Sequence, residues 1–214
     1  MFNSLIFSLK KNIKEINQGG VKILFRKLFS LFKIITNFFL CLLSIPILLL
    51  IYLVSSKFLI RFQPLISNRI GHFAGNTELY LCEKDMKINT PTQNYLDLFF
   101  CHDVCNFQLY KMWKKKINIM PKWILYPFFK TNKILSKFFT RLKKHEIGNN
   151  TFGDKDVLNL MDRSEPSLKF STEEEVVGRK YLSKFNLNEN SKFIALSIRD
   201  NNYLKNKDKF KDWS

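Results

Sequence analysis

The run IITNFFLCLLSIPILLLIYLVSS, Ile34 to Ser56, holds 23 residues without a charge and is bounded by Lys33 and Lys57. A helix needs ~20 apolar residues to traverse the hydrocarbon of a bilayer. A soluble domain seldom buries a helix so long and so uniformly apolar, so membrane insertion is the expectation. Pro46 falls in mid-run and is expected to kink the helix, which membrane segments tolerate. The run starts too far into the chain to resemble a cleaved signal peptide.

The residues ahead of the run reinforce this. Phe2, Leu5, Ile6, Leu9, Ile13 and Ile16 recur at helical spacing, with Lys10, Lys11 and Lys14 between them, and Gly19-Gly20 ends the pattern. A second basic and apolar stretch, VKILFRKLFSLFK, then leads into the uncharged run. Basic amphipathic helices of this kind lie on anionic membrane surfaces, and the alternative is a helix packed on its own protein. Up to Asn76 the only acid is Glu15, against a chain total of 35 Lys and Arg and 18 Asp and Glu. The chain, of net charge +17, therefore has a basic, apolar front and a remainder of mixed charge. Positive charge before the run keeps the N-terminus in the cytoplasm. Basic residues on the other flank leave both a crossing and a re-entrant or interfacial placement open.

From Lys57 onward the pattern is that of an α/β domain. KFLIRF is strand-like, and Leu96 to Cys101 forms the apolar core of a buried strand. Asn106 is placed to cap a helix carrying Phe107, Leu109, Tyr110 and Trp113, which completes half of a βαβ unit. Residues from His145 to Ser167 read as a polar linker in which His145 has no role. Ser171 with Glu174 makes a capping box at the start of another helix. FIALSI, near the end, reads as a strand covered on both faces, with Arg199 and Asp200 at its C-terminal end. Open α/β sheets place ligand chemistry at such strand ends. The four cysteines show no spacing of a small secreted disulfide framework. CHDVC lacks a second Cys or His pair, so no metal is expected.

The stretch SNRIGHFAGNTELYL, Ser67 to Leu81, gathers the chemistry. Gly71 and Gly75 allow close backbone approach, Arg69 suits a phosphate, and His72 exchanges a proton near neutral pH. Glu78 can orient a hydroxyl or the imidazole, and Asn76 is the further substrate-contacting residue. Neither common phosphate-loop pattern is present, so a tight structural turn is the competing reading. Arg199 and Asp200 likewise read either as a phosphate clamp or as an ion pair closing a strand.

Taken in order, SNRIGHFAGNTELYL, LDLFFCHDVCNFQLYKMW, FSTEEEVVGRKYL and FIALSIRDNNYL resemble a group of bacterial glycosyltransferases with an RIGH-type segment after an apolar N-terminal region. The resemblance covers roughly residues 60 to 214. It implies an α/β GT-B enzyme: two Rossmann-like domains across a cleft, the first gripping the acceptor and the second a nucleotide-sugar. On that basis residues 1–33 are a basic amphipathic region and 34–56 the membrane segment. Residues 57–190 are the Rossmann-like acceptor domain, and 191–214 begin a donor domain whose remainder is expected to be encoded separately. The resemblance also implies that Arg69, Gly71 and His72 line the acceptor side, His72 as general base, with Arg199 near the donor phosphates. No metal cofactor is implied, since basic groups and helix N-termini stabilise the departing diphosphate. The expected function is sugar transfer to a surface polysaccharide or lipid-linked acceptor, at the cytoplasmic face of the inner membrane. The expected partners are membrane lipid, nucleotide-sugar and glycan, with no nucleic acid. A non-catalytic, membrane-anchored remnant or scaffold is the alternative.

Overall fold

A computed structural model describes residues 2–88, 90–148, 156–188, 191–192 and 194, with the backbone alone for residues 2–19. The chain divides into two compact units, Met1–Leu168 and Lys169–Ser214.

The first unit opens with α1, Phe2–Val54, whose regular geometry breaks at Gly20 (φ 59°, ψ −157°). That conformation suits glycine, and it sits where the Gly19-Gly20 pair interrupts the apolar pattern. The part from Gly20 to Val54 is one helix long and apolar enough to cross a membrane, with mean hydropathy 2.6 over its most apolar window. A short turn then feeds β1, Phe58–Leu65. After it come α2, Ile70–Asp85, and β2, Asn94–Cys101. Next are α3, Phe107–Lys114, the two-residue strand β3, Asn118–Ile119, and α4, Lys122–Leu135.

The three strands form one parallel sheet in the order β1-β2-β3. Side chains on β2 alternate between faces, as the strand period requires. Phe99 joins Phe73 and Leu81 of α2 and Trp113 of α3 in one core. Phe100 joins Phe62 of β1, Leu125 of α4 and Leu48 of α1 in the other. The sheet therefore has helices on both faces, which explains why β2 is apolar along most of its length. Pro64 cannot donate to a ladder, and β1 is an edge strand of this sheet, where that deficit is tolerated.

After α4 a 3-10 turn, Thr140–His145, brings the chain back across the sheet. Glu146 then forms a single parallel bridge with Phe62, on the outer side of β1. His145, expected to lie in a linker, is instead fully buried. Its Nδ1–H donates to the Ile60 carbonyl at 2.7 Å, and its ring packs on Tyr52 with centroids 4.9 Å apart. Nε2 has no hydrogen-bond partner among the described residues. Burial lowers the His145 pKa, Lys144 adding to the shift and the Ile60 bond opposing it, so the ring is held neutral.

A second polar feature lies inside the sheet. Arg61 on β1 and Asp97 on β2 sit directly opposite one another and make a bidentate pair, both contacts 2.6 Å. Tyr80 of α2 donates to the same carboxylate at 2.6 Å. Burial first, and then that bond to Asp97, push the Tyr80 pKa far up, so its hydroxyl stays a donor.

The second unit contains α5, Thr172–Ser183. Its capping box forms as the sequence suggests: Ser171 accepts from the Glu174 N–H, and the Glu174 carboxylate accepts from the Ser171 N–H. The strand expected over FIALSI, apart from Ile194, lies outside the described residues, as do Arg199 and Asp200.

Candidate functional site

Three strand-to-helix junctions meet at the C-terminal edge of the sheet: β1 to α2, β2 to α3 and β3 to α4. In parallel α/β sheets this edge is where helix N-termini and loops converge on a ligand.

The first two junctions are tied by Ser67, which is 2% exposed. Its hydroxyl donates to the Asp103 carbonyl at 2.7 Å, and its own carbonyl accepts from the Cys105 N–H at 2.9 Å. Asn106 caps α3 by accepting from the Leu109 N–H at 2.9 Å. Trp113, fully buried, donates from Nε1 to the Phe73 carbonyl at 3.0 Å and so fixes the first turn of α2 from below.

The stretch from Ser67 to Leu81 is mostly helix, not loop. α2 begins at Ile70, and Phe73, Thr77 and Leu81 point into the core at four-residue spacing. Gly71 and Gly75 therefore hold ordinary helical backbone, and a Cβ at either would meet nothing within 4 Å. The glycines are not needed for a special turn. Arg69 stands in the N-cap position, makes no side-chain cap, and is followed by a first turn without acids. A helix start carries partial positive charge, and no acid within this first turn offsets it. Arg69, His72 and Asn76 follow each other at spacings of three and four and so share one face of the helix. Gly71, Gly75 and Glu78 fall on a different face. Glu78 accepts from the Ser167 N–H at 2.7 Å, a bond that anchors the end of the first unit.

His102 follows directly on the C-terminal end of β2. Its ring meets Phe100 edge-on at 5.3 Å and Tyr126 of α4 at 5.8 Å. Packing against these rings, and then the Lys122 ammonium, lowers its pKa, while Asp103 opposes the shift. Lys122 opens α4, so it was separated from His102 by a whole helix and strand in sequence. The rim thus carries Arg69, His72, His102 and Lys122 against Asp103, an arrangement suited to an anionic ligand. The Cys101 thiol is not an activated nucleophile, since burial raises its pKa against an opposing bond from Ser67. Among the described residues no three His, Cys, Asp or Glu side chains are grouped to hold a metal ion.

Two hollows adjoin this framework. One, of about 20 Å³, lies beside β1 and is lined by Gln63, Leu65, Asn76 and Ile147. A space of that size accepts one small group at most. The other, an open groove of about 450 Å³, is lined by Lys84, Gln93, Tyr95, Asp97 and Asn118. It lies at the start of β2, the edge of a parallel sheet opposite to the one that carries ligand chemistry. Its Asp97 is already committed to Arg61 and Tyr80.

Comparison with known proteins yields no match: no family model, no curated protein and no solved structure corresponds to the chain.

Proposed function

We propose that this chain is the membrane-attached, acceptor-side part of a GT-B-type glycosyltransferase, with a Rossmann-like first domain. It would pass a sugar from a nucleotide-sugar to a surface polysaccharide or lipid-linked acceptor at the cytoplasmic face of the inner membrane. The observation that carries this reading is the path of the chain after β3. The sheet runs β1-β2-β3, and the chain then returns to bridge Phe62 from the other side of β1 through Glu146. That single bridge lies where the next strand of a reversing order would pair, and ligands of open α/β sheets bind outside the strand ends at such a reversal. The rim at that place is basic, which favours a phosphate-bearing ligand.

In this scheme His72 takes the proton from the acceptor hydroxyl as its oxygen bonds the anomeric carbon and the bond from that carbon to the nucleoside diphosphate breaks, a step that positioned bases accelerate by ~10²–10⁴-fold. Arg69 and the N-terminus of α2 hold an anionic part of the acceptor. Arg199 and Asp200 are assigned to the donor phosphates on the resemblance alone.

The test uses cells from which the chain has been removed. Incorporation of radiolabelled sugar into lipid-linked intermediates or surface polysaccharide should fall, and the wild-type chain should restore it. His72→Ala should restore ~10²-fold less or worse. Full restoration by His72→Ala would make His72 structural. Unchanged incorporation in the deleted cells would sink the transferase reading.

A further inference from the structure

The geometry of α1 states how the chain meets the bilayer, and this stands independently of the transferase reading. Between Cys41 and Val54 one side of the helix is seated on the α/β unit. Ser44 is 2% exposed and donates to Thr131 of α4 at 3.0 Å, and Leu48 is fully buried. Tyr52 donates to Asn132 at 2.9 Å. Contact from Cys41 to Tyr52 occupies ~17 Å of helix, at ~1.5 Å per residue. Its centre coincides with the middle of the uncharged run Ile34 to Ser56.

An upright crossing by that run would therefore place the α4 contact near the bilayer midplane. Lys130 and Lys133, both exposed, flank Thr131 and Asn132 directly. A charged lysine at mid-depth is strongly disfavoured in hydrocarbon. The protein surface at this joint is built for an interface, not for hydrocarbon.

The rest of the helix agrees. Lys22, Arg26, Ser30, Lys33 and Asn37 follow at spacings of four, four, three and four, a single stripe along α1. Arg26 and Ser44 are eighteen residues apart, about five full turns. The polar stripe thus runs on in line with Ser44 and Leu48, which face the protein. The opposite side is apolar and exposed throughout, with Phe25, Phe32, Ile35, Phe39, Leu50 and Leu53 each between 45% and 77% exposed. On α4, Ile134 and Trp123 lie within about 80° of Thr131, both on the same side of it, at ~100° per residue. They are 49% and 70% exposed. Lys130 comes next around that helix.

We propose that α1 from Val21 to Val54 lies along one leaflet of an anionic bilayer rather than across it, its apolar side in the lipid. Its basic stripe and the seated α/β unit share the headgroup side, and Trp123 and Ile134 extend the lipid contact onto α4. The helix is ~50 Å long at ~1.5 Å per residue, well beyond the ~30 Å hydrocarbon thickness, which suits a path in the plane. Amphipathic helices of this length bind by buried apolar area together with attraction of Lys and Arg to anionic lipid.

The test uses the full chain and two readouts. Ser4→Cys is introduced beside the exposed native Cys105. An impermeant maleimide is applied to right-side-out and inside-out membrane vesicles, and labelled sites are mapped by mass spectrometry. Both positions should label from the same side; labelling from opposite sides overturns the proposal. Nitroxides at Ser30 and Asn37 are then compared with nitroxides at Leu28 and Ile35, in phosphatidylethanolamine–phosphatidylglycerol vesicles. Oxygen should broaden the spectra at Leu28 and Ile35 several-fold more than at Ser30 and Asn37, and a water-soluble nickel chelate the reverse. Equal burial of all four positions also overturns it.

Discussion

Replacing Asp97 by Ala should be among the most damaging single changes available in the first unit. Arg61 and Asp97 are 8% and 3% exposed at the side chain, and both contacts of the bidentate pair are 2.6 Å. Removing the carboxylate strands a guanidinium between β1 and α2 and takes the acceptor from the Tyr80 hydroxyl as well. Losing one partner of a buried pair costs ~3–5 kcal/mol, because the remaining charge stays uncompensated. Since each ~1.4 kcal/mol is tenfold, the folding equilibrium should fall by ~10²–10³-fold or more. Tyr80→Phe removes only the third contact and should cost ~1.5–3 kcal/mol, the range for a bond to a charged group. Arg61→Leu combined with Asp97→Leu should recover most of the loss, since apolar residues often replace a buried pair with little penalty. The assay is urea unfolding of the full chain in detergent, followed by circular dichroism. A loss below ~1 kcal/mol for Asp97→Ala, the scale of a solvated surface pair, refutes the reasoning. So does a double variant whose cost equals the sum of the two single leucine variants.

Two further outcomes follow from buried or capping groups. His145 is held neutral when folded, with its pKa below the ordinary imidazole value near 6.5. The unfolded chain therefore binds the extra proton first as pH falls. Stability due to this group is fully present above pH ~6.5 and declines below it. Unfolding midpoints measured from pH 7 to pH 5 should drop, and His145→Asn should flatten that dependence. Asn106→Ala should destabilise by about 1 kcal/mol through loss of the α3 cap, with hydrogen exchange faster in Phe107–Lys114 than elsewhere.

What could be read from the sequence was local. The strand residues of KFLIRF and of Leu96 to Cys101 announce themselves by apolar content, and Asn106, Ser171 and Glu174 act on atoms three residues away. The features that escaped depend on distant partners. Arg61 looks like a solvent-facing strand residue until Asp97, 36 positions later, comes opposite. His145 sits among polar neighbours, and only the return of the chain beneath β1 buries it. Gly71 and Gly75 disguised a helix as a loop, because glycine signals a turn more often than the middle of a buried helix. His102 and Lys122 meet only because two successive parallel strands end at the same edge.

The two bonds of Ser67 have a mechanical meaning for that edge. Its hydroxyl and its carbonyl grip the β2–α3 junction at two points, Asp103 and Cys105, while its N–H holds the Leu65 carbonyl at 2.9 Å. The loop that leads to Arg69 and the loop that carries His102 are therefore one clasped body rather than two independent fingers. Anything that draws Arg69 forward must carry Asp103 with it. A ligand on this rim would be felt as a joint displacement of both junctions.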